Sequence, residues 1–326
     1  MTDSDTAAFN DEMRSGYEKC TGCGVCLLTC PVWRQTSDVM LTVSGRTRVL
    51  QGGGTPDDVR ESLRACVLCG ACASACPSGV DTVALTTELR MRLGGEKKRV
   101  PRALMFAPGK TAGKVFLPGT ALRGDEKLLK RTRGLLEQDG FRVFDDSELS
   151  DMAAEMEAGT RPDAEQLKSF IASMSDVTEI VAADGFLHRH LRQWLPGARV
   201  MGFGETLLRR ADIKRALKAT DLYIIEARGY HSDHARLVKV YDKLRQETGC
   251  KLNTSLQRAA IPTGATNRGD SMPHTVPHRQ RVDSAAQARW ILDKRRPSRI
   301  VTEAMEDLAL FRKIGGCEVI HISELV

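Results

Sequence analysis

A helical, cysteine-bearing N-terminal domain followed by an α/β domain built as a divergent internal repeat is the fold class this sequence predicts. Three observations carry it. Eight of the ten cysteines fall in two tight clusters between residues 20 and 76. Helix-like segments separate and follow those clusters. Beyond residue 101, short apolar runs alternate with amphipathic stretches in the manner of α/β units, and the alternation recurs after about a hundred residues.

The first cluster reads C-T-G-C-G-V-C-L-L-T-C-P (Cys20, Cys23, Cys26, Cys30, Pro31), and the second reads C-V-L-C-G-A-C-A-S-A-C-P (Cys66, Cys69, Cys72, Cys76, Pro77). Both fit C-x2-C-x2-C-x3-C-P, the spacing of bacterial two-cluster ferredoxins, so two [4Fe–4S] clusters are expected. Three cysteines at two-residue gaps let one loop wrap a cubane. The fourth points away and ligates the other cluster. Cys20, Cys23, Cys26 and Cys76 are therefore assigned to one cluster, and Cys66, Cys69, Cys72 and Cys30 to the other. Gly22, Gly24 and Gly70 suit loops that approach a cluster closely. The proline after each motif is expected to bend the chain away. Zinc would use four ligands in C-x2-C pairs, which two copies of a four-cysteine pattern do not resemble. Disulfides suit small secreted domains with spread cysteines, and no charged-then-apolar leader opens the chain.

Between the motifs, Ser37 is read as capping a helix over 38–51, ended by Gly52-Gly53-Gly54. Thr55-Pro56-Asp57-Asp58 is a helix start, with a capping Thr, Pro at the first helical position and acids in the first turn. That helix runs into Cys66. Another spans about 81–93. This domain, residues 1–98, resembles the α-helical ferredoxin domain of iron–sulfur subunits in respiratory-type oxidoreductases.

The charged stretch 96–101 reads as a linker. Strands are expected at 104–107, 114–117, 142–144, 179–182, 199–201, 222–225, 299–302 and 318–322. Helices are expected at about 125–138, 163–173, 185–194, 205–218, 233–247, 284–295 and 303–313. Segment 178–194 parallels 298–314, and 197–207 parallels 316–326. Two repeats follow, 102–218 and 219–326.

This order resembles a family of iron–sulfur electron-transfer subunits with a two-cluster ferredoxin domain followed by two cysteine-rich (C-C-G type) domains. The family includes glycolate oxidase, lactate-utilization, anaerobic glycerol-3-phosphate dehydrogenase and heterodisulfide reductase subunits. The departures are specific. Thr120 and His234 stand where the resemblance expects cysteine. P-T-G-A-T-N (262–267) is the best match to the second C-C-G region, and the first falls in the cysteine-free stretch 145–165. The cysteine after the third strand is replaced near Ala183-Asp184 and Glu303-Ala304. Only Cys250 and Cys317 remain, and neither is at a motif position. The resemblance thus implies degenerate cysteine-rich domains that have lost the family's additional cluster.

Other candidates have plainer readings. His188/His190, His231/His234 and His274/His278 have spacings that can bind metal on a helix face, but no third ligand follows from spacing, and solvated or loop histidines are expected. Residues 264–285 form a long polar loop. Gly202-Phe203-Gly204 lacks the third glycine of a dinucleotide loop and reads as a strand–helix turn. Cys250 and Cys317 read as small buried apolar residues. Trp33 reads as a packing residue, with shielding of a cluster from water as the alternative, and the acidic stretch 145–165 is expected to form an exposed helix.

Length and composition fit this organisation. The chain has 326 residues, enough for two or three domains, and 41% apolar residues. No apolar stretch is long enough to span a bilayer. The net charge of +6 lies wholly beyond residue 100, with no basic stripe interleaved with aromatics, so nucleic acid is not an expected partner. The sequence predicts a cytoplasmic subunit, either free or peripheral at the inner face of the membrane, in a hetero-oligomer. Single electrons would pass from a flavoprotein dehydrogenase or other oxidoreductase subunit to a quinone-linked membrane subunit, an electron-transferring flavoprotein or another iron–sulfur protein. The rival readings are a scaffold with non-redox clusters and a heterodisulfide-reductase-like thiol/disulfide redox subunit.

Overall fold

Short, individually capped helices build the first part of the chain, because glycines, prolines and cysteine loops interrupt every apolar run before a long helix can form. The computed structural model describes residues 16–93, 111–255, 257–266 and 282–326. These divide into two compact units: 16–93 with 155–161 and 282–283, and the remainder.

In the first unit, α1 (Pro31–Thr36) starts on Pro31. The proline does not bend the chain away as expected: its fixed φ and missing N–H suit a first helical position. Ser37, expected as an N-cap, instead adopts φ 52° and ends α1. Thr42 takes the capping role, its Oγ1 accepting from Gly45 N at the start of α2 (Val43–Gln51). Gly52 ends that helix. At the next start, Thr55 N and Oγ1 both donate to Asp58 Oδ2 at 2.8 Å. A 3-10 turn (Asp57–Val59) then leads into α3 (Arg60–Ala65). The short α4 (Ala71–Ser74) precedes α5 (Thr82–Arg92), which Asp81 caps through Ala84 N at 3.0 Å. Leu50, Val59, Leu63, Val80, Leu85 and Leu89 form the core among these helices.

The second unit holds two parallel four-stranded sheets. Sheet one contains β1 (Ala112–Leu117), β2 (Phe141–Val143), β3 (Asp176–Ala182) and β4 (Arg199–Gly202), in the order β2-β1-β3-β4. Sheet two contains β5 (Asp221–Ile224), β6 (Lys251–Leu252), β7 (Arg299–Thr302) and β8 (Glu318–His321), in the order β6-β5-β7-β8. The orders are identical once the second is renumbered. In the register, Ala182 pairs with Gly202 in one sheet and Thr302 with His321 in the other. The expected helical cluster domain and α/β region with an internal repeat are thus present. The candidate strand 104–107 lies outside the described residues. The two-residue β6 was not expected, being too short to leave a periodic signal.

Helices connect the strands. In the first repeat they are α6 (Gly119–Arg123), α7 (Glu126–Gln138), α8 (Ser147–Ala158), α9 (Ala164–Ser173), α10 (Gly185–Trp194), α11 (Phe203–Leu207) and α12 (Ala211–Ala216). The second has α13 (Ala227–Ser232), α14 (His234–Thr248), α15 (Ser284–Leu292) and α16 (Met305–Ile314). The helix expected over 205–218 is divided between α11 and α12. At the break the Arg210 side chain is held by Leu135 O, Gln138, Asp139 and Asp212. The acidic stretch 145–165 is helical over α8 but not exposed as expected: Leu149, Met152, Ala153 and Met156 are buried. One apolar core spans both sheets, including Phe116, Val181, Met201, Tyr223, Val301 and Phe311.

Candidate metal centre

The two cysteine loops share one backbone course. Gly22 (φ 74°) and Leu68 (φ 50°) occupy matching places, as do Gly24 (φ 73°) and Gly70 (φ 77°). These left-handed residues curl each loop so that successive cysteines face one centre. A short helical stretch then follows each loop, a 3-10 turn (Val25–Thr29) in the first and α4 in the second. Cys30 and Cys76 come just after those stretches rather than within a helix. Cys30 is the N-cap of α1.

Cys30, Cys66, Cys69 and Cys72 line one cavity of about 430 Å³, together with Val32, Val43 and Arg46 among others. The thiols stand around this space rather than converging on a point. Among the described residues, no three His, Cys, Asp or Glu side chains close on a single-ion site, whereas a cubane needs ligands set around a volume. Burial pushes the Cys72 thiol well up, helped by the neighbouring charges of Cys69, Cys66 and Cys30. Burial also raises Cys30. For Cys66 burial again acts upward, yet the net shift is downward because the Arg46 and Arg90 guanidiniums stand beside it. Thr82 Oγ1 lies 2.9 Å from Cys72 Sγ.

The other four cysteines form a second neighbourhood. Cys26 is pushed up to about 11 by burial and by the charges of Cys20, Cys30, Cys76 and Cys23. Thr47 Oγ1 donates to Cys20 Sγ at 3.4 Å. Gln51 Nε2 pins the loop by donating to the carbonyls of Tyr17 and Cys20 at 3.1 and 2.8 Å. Cys23 is exposed to solvent, whereas Cys69 is buried. This second neighbourhood therefore reaches the surface at Cys23.

These residues fit iron–sulfur clusters on three counts. Eight thiols stand in two neighbourhoods, and charged thiolates that raise one another's pKa are relieved by binding cationic iron. In addition, Arg46 lines the thiol cavity and leaves its buried Nε without an acceptor among the described residues.

Residues 16–80 match the family of 4Fe-4S dicluster domains. No curated protein and no solved structure matches the chain. The chain therefore carries a dicluster domain whose eight cysteines hold two [4Fe–4S] clusters. Such clusters transfer single electrons at potentials set by charge, hydrogen bonds to sulfur and exposure.

A second cavity lies in the α/β unit, at the carboxyl ends of strands from both sheets, where α/β proteins place ligands. His188, Glu205, Glu226, Tyr230, Tyr241 and Glu303 are among its lining residues. Glu303 Oε1 accepts from Tyr223 and Tyr241 hydroxyls, and its Oε2 accepts from Glu226 N at 2.8 Å. Glu226 caps α13 by accepting from Arg228 N and Gly229 N. Burial pushes Glu226 up to about 8 and Glu303 up to about 7, against the hydrogen bonds that lower them. Glu205, also buried, forms a two-pronged ion pair with Arg236. Ser232 Oγ donates to Gly229 O, so it accepts from His188 Nδ1–H at 2.6 Å. The His188 Nε2 lone pair is left without a partner among the described residues.

The histidine pairs are not solvated as expected. His188 and His231 are buried, and burial lowers each to about 4. His231 Nε2 bonds Ala260 O at 2.9 Å, and its ring stacks on His234. His274 and His278 lie outside the described residues, as does most of the loop 264–285. Cys250 is buried and Cys317 half-buried. Among the described residues no helix is long and apolar enough to cross a membrane.

Sequence reading missed Arg46, Arg90 and Glu226. Nothing in their local spacing marks them. An arginine inside an otherwise ordinary amphipathic helix, as in α2, was the one available signal.

Proposed function

We propose that this chain is the electron-transfer subunit of a larger oxidoreductase complex. It relays single electrons between a flavoprotein dehydrogenase or similar oxidoreductase subunit and a downstream acceptor. That acceptor is a quinone-linked membrane subunit, an electron-transferring flavoprotein or another iron–sulfur protein. The observation that carries the reading is the asymmetry of the thiol sets: one has an exposed cysteine, Cys23, and the other lies around a cavity with Cys69 buried and no exposed cysteine. A relay needs an edge exposed to a partner and an interior site that shields its charge. We assign Cys20, Cys23, Cys26 and Cys76 to the outer cluster and Cys30, Cys66, Cys69 and Cys72 to the inner one. The shared cavity of the second four supports this assignment, while Cys26 feels the charge of Cys20, of Cys76 and Cys23, and also of Cys30 across the two sets.

The two-sheet unit is the docking platform in this reading. Threonine, histidine and the residues around Ala183 and Glu303 stand where the resembling family holds cysteines, which supports a retained fold without a further cluster. Anaerobically reconstituted protein is titrated potentiometrically with EPR detection. Two reversible one-electron reductions are expected. Clusters that stay oxidised down to the potential of dithionite would sink the relay and favour a scaffold. Anaerobic co-purification from the native host, read by mass spectrometry, is expected to recover a flavoprotein. A partner set free of redox proteins would also overturn the proposal.

A further inference from the structure

Arg46 is 1% exposed and is the largest fully buried side chain in the molecule's described residues. It lies on α2, facing α3 and α5. Its Nη1 donates to Ser62 O at 2.8 Å and Ser62 Oγ at 2.9 Å, and its Nη2 donates to Thr86 Oγ1 at 3.1 Å. These acceptors are neutral. They satisfy hydrogen-bonding capacity but leave the charge uncompensated. A guanidinium cannot shed its proton inside a protein, so an uncompensated one is costly to bury. The Nε donor is also buried, with no acceptor among the described residues. Arg46 lines the cavity formed by Cys30, Cys66, Cys69 and Cys72.

We propose that Arg46 is the built-in counter-ion of the inner [4Fe–4S] cluster, holding that cluster's reduction potential up. A [4Fe–4S]2+ core with four thiolates carries two net negative charges, and one-electron reduction adds a third. Burial opposes that addition, while a fixed positive charge on the cavity wall favours it. Arg90 supports the same end. It is 2% exposed, and its Nη2 holds the Cys66 carbonyl as well as the Leu63 carbonyl. The outer set has an exposed cysteine instead, so solvent rather than a buried cation answers its charge.

The inference rests on the division of the cysteines into two sets. Variants Cys69→Ser and Cys23→Ser first identify the EPR signal of each cluster. If both alter the same signal, the division itself fails. Full-length Arg46→Gln and Arg46→Lys are then reconstituted anaerobically, assayed for iron and titrated potentiometrically. In Arg46→Gln the inner cluster is expected to become at least tenfold harder to reduce, about 59 mV for one electron, with the outer midpoint unmoved. Arg46→Lys, which keeps the charge, is expected to recover most of that shift. Loss of the inner cluster from the Gln variant alone also supports a charge requirement. An unmoved inner midpoint in Arg46→Gln, equal shifts in both variants, or cluster loss from both would overturn the proposal. The last two results would show that arginine acts by shape rather than charge.

Discussion

Gly204 lies directly against the carboxyl group of Glu303: a Cβ built on Gly204 would overlap Glu303 Oε1. Gly185 stands in the same relation to Glu226 Oε2. Neither glycine has a left-handed φ. Both are there to admit a buried carboxyl at the end of a strand. Two tyrosine hydroxyls and the Glu226 N–H hold the Glu303 carboxyl, so it cannot swing aside cheaply. Gly204→Ala is therefore expected to cost roughly 1–3 kcal/mol, the usual penalty of overpacking a rigid core. Urea unfolding followed by circular dichroism measures it. A variant as stable as the parent would show that the Glu303 site yields.

The same carboxyls set a pH dependence. In the fold, Glu226 (about 8) and Glu303 (about 7) keep protons that the unfolded chain, near the ordinary value of 4.5, has released. Asp307, raised by burial to about 7, acts the same way. Stability from these groups is complete below pH 4.5 and is lost as pH rises through 7 and 8. Buried His188, His231 and His321, each lowered to about 4, act oppositely below 6.5, where the unfolded chain gains protons first. Above pH 6.5 only the carboxyl trend remains. The urea midpoint is therefore expected to fall between pH 6.5 and 8, with a shallower slope in Glu226→Gln. A midpoint that rises over that range would contradict these protonation states.

Gly24 tests the cluster loop. Its φ is 73°, and the nearest atom to an added Cβ is Leu27 Cδ1 at 3.8 Å. No protein atom blocks the position, so within the polypeptide only backbone strain opposes a side chain. Gly24→Ala is expected to lose roughly 1–2 kcal/mol while keeping its full iron content. Leu68 shows that the loop carries a side chain in this conformation when burial holds it, since it is 3% exposed at φ 50°. Iron loss in Gly24→Ala would mean that the loop cannot bear the strain.

Crossed ligation makes its own prediction. Cys30→Ser should perturb the cluster that Cys69→Ser perturbs, although Cys30 belongs to the first motif. Cys76→Ser should perturb the cluster of Cys23→Ser. EPR of the reduced variants reads this directly. Motif-by-motif pairing of the changes would refute the crossed assignment.

The cluster domain was legible because its chemistry is written in local spacing. Cysteines at gaps of two and three residues fix the kind of metal site, and glycines within the loops mark its turns. The paired sheets were legible through apolar strands that recur in the same order, even where no constant offset aligns the halves. Caps were less legible: Ser37 and Thr42 are both plausible, and tertiary contact around Gly45 chose Thr42. Gly45 admits no side chain because Val39 and Met40 backbone atoms lie against it.

Eight cysteines spaced for two clusters, and two like α/β repeats after them, are legible in the chain before it folds. Periodicity and ligand spacing are properties of neighbouring residues. Folding alone brings Arg46 to the wall of the inner thiol cavity and Glu303 against Gly204, 99 positions away. Buried charge is an expensive exception to ordinary composition, and what offsets it comes from elements distant in the chain. Long-range pairing of that kind leaves no periodic trace for a sequence to show.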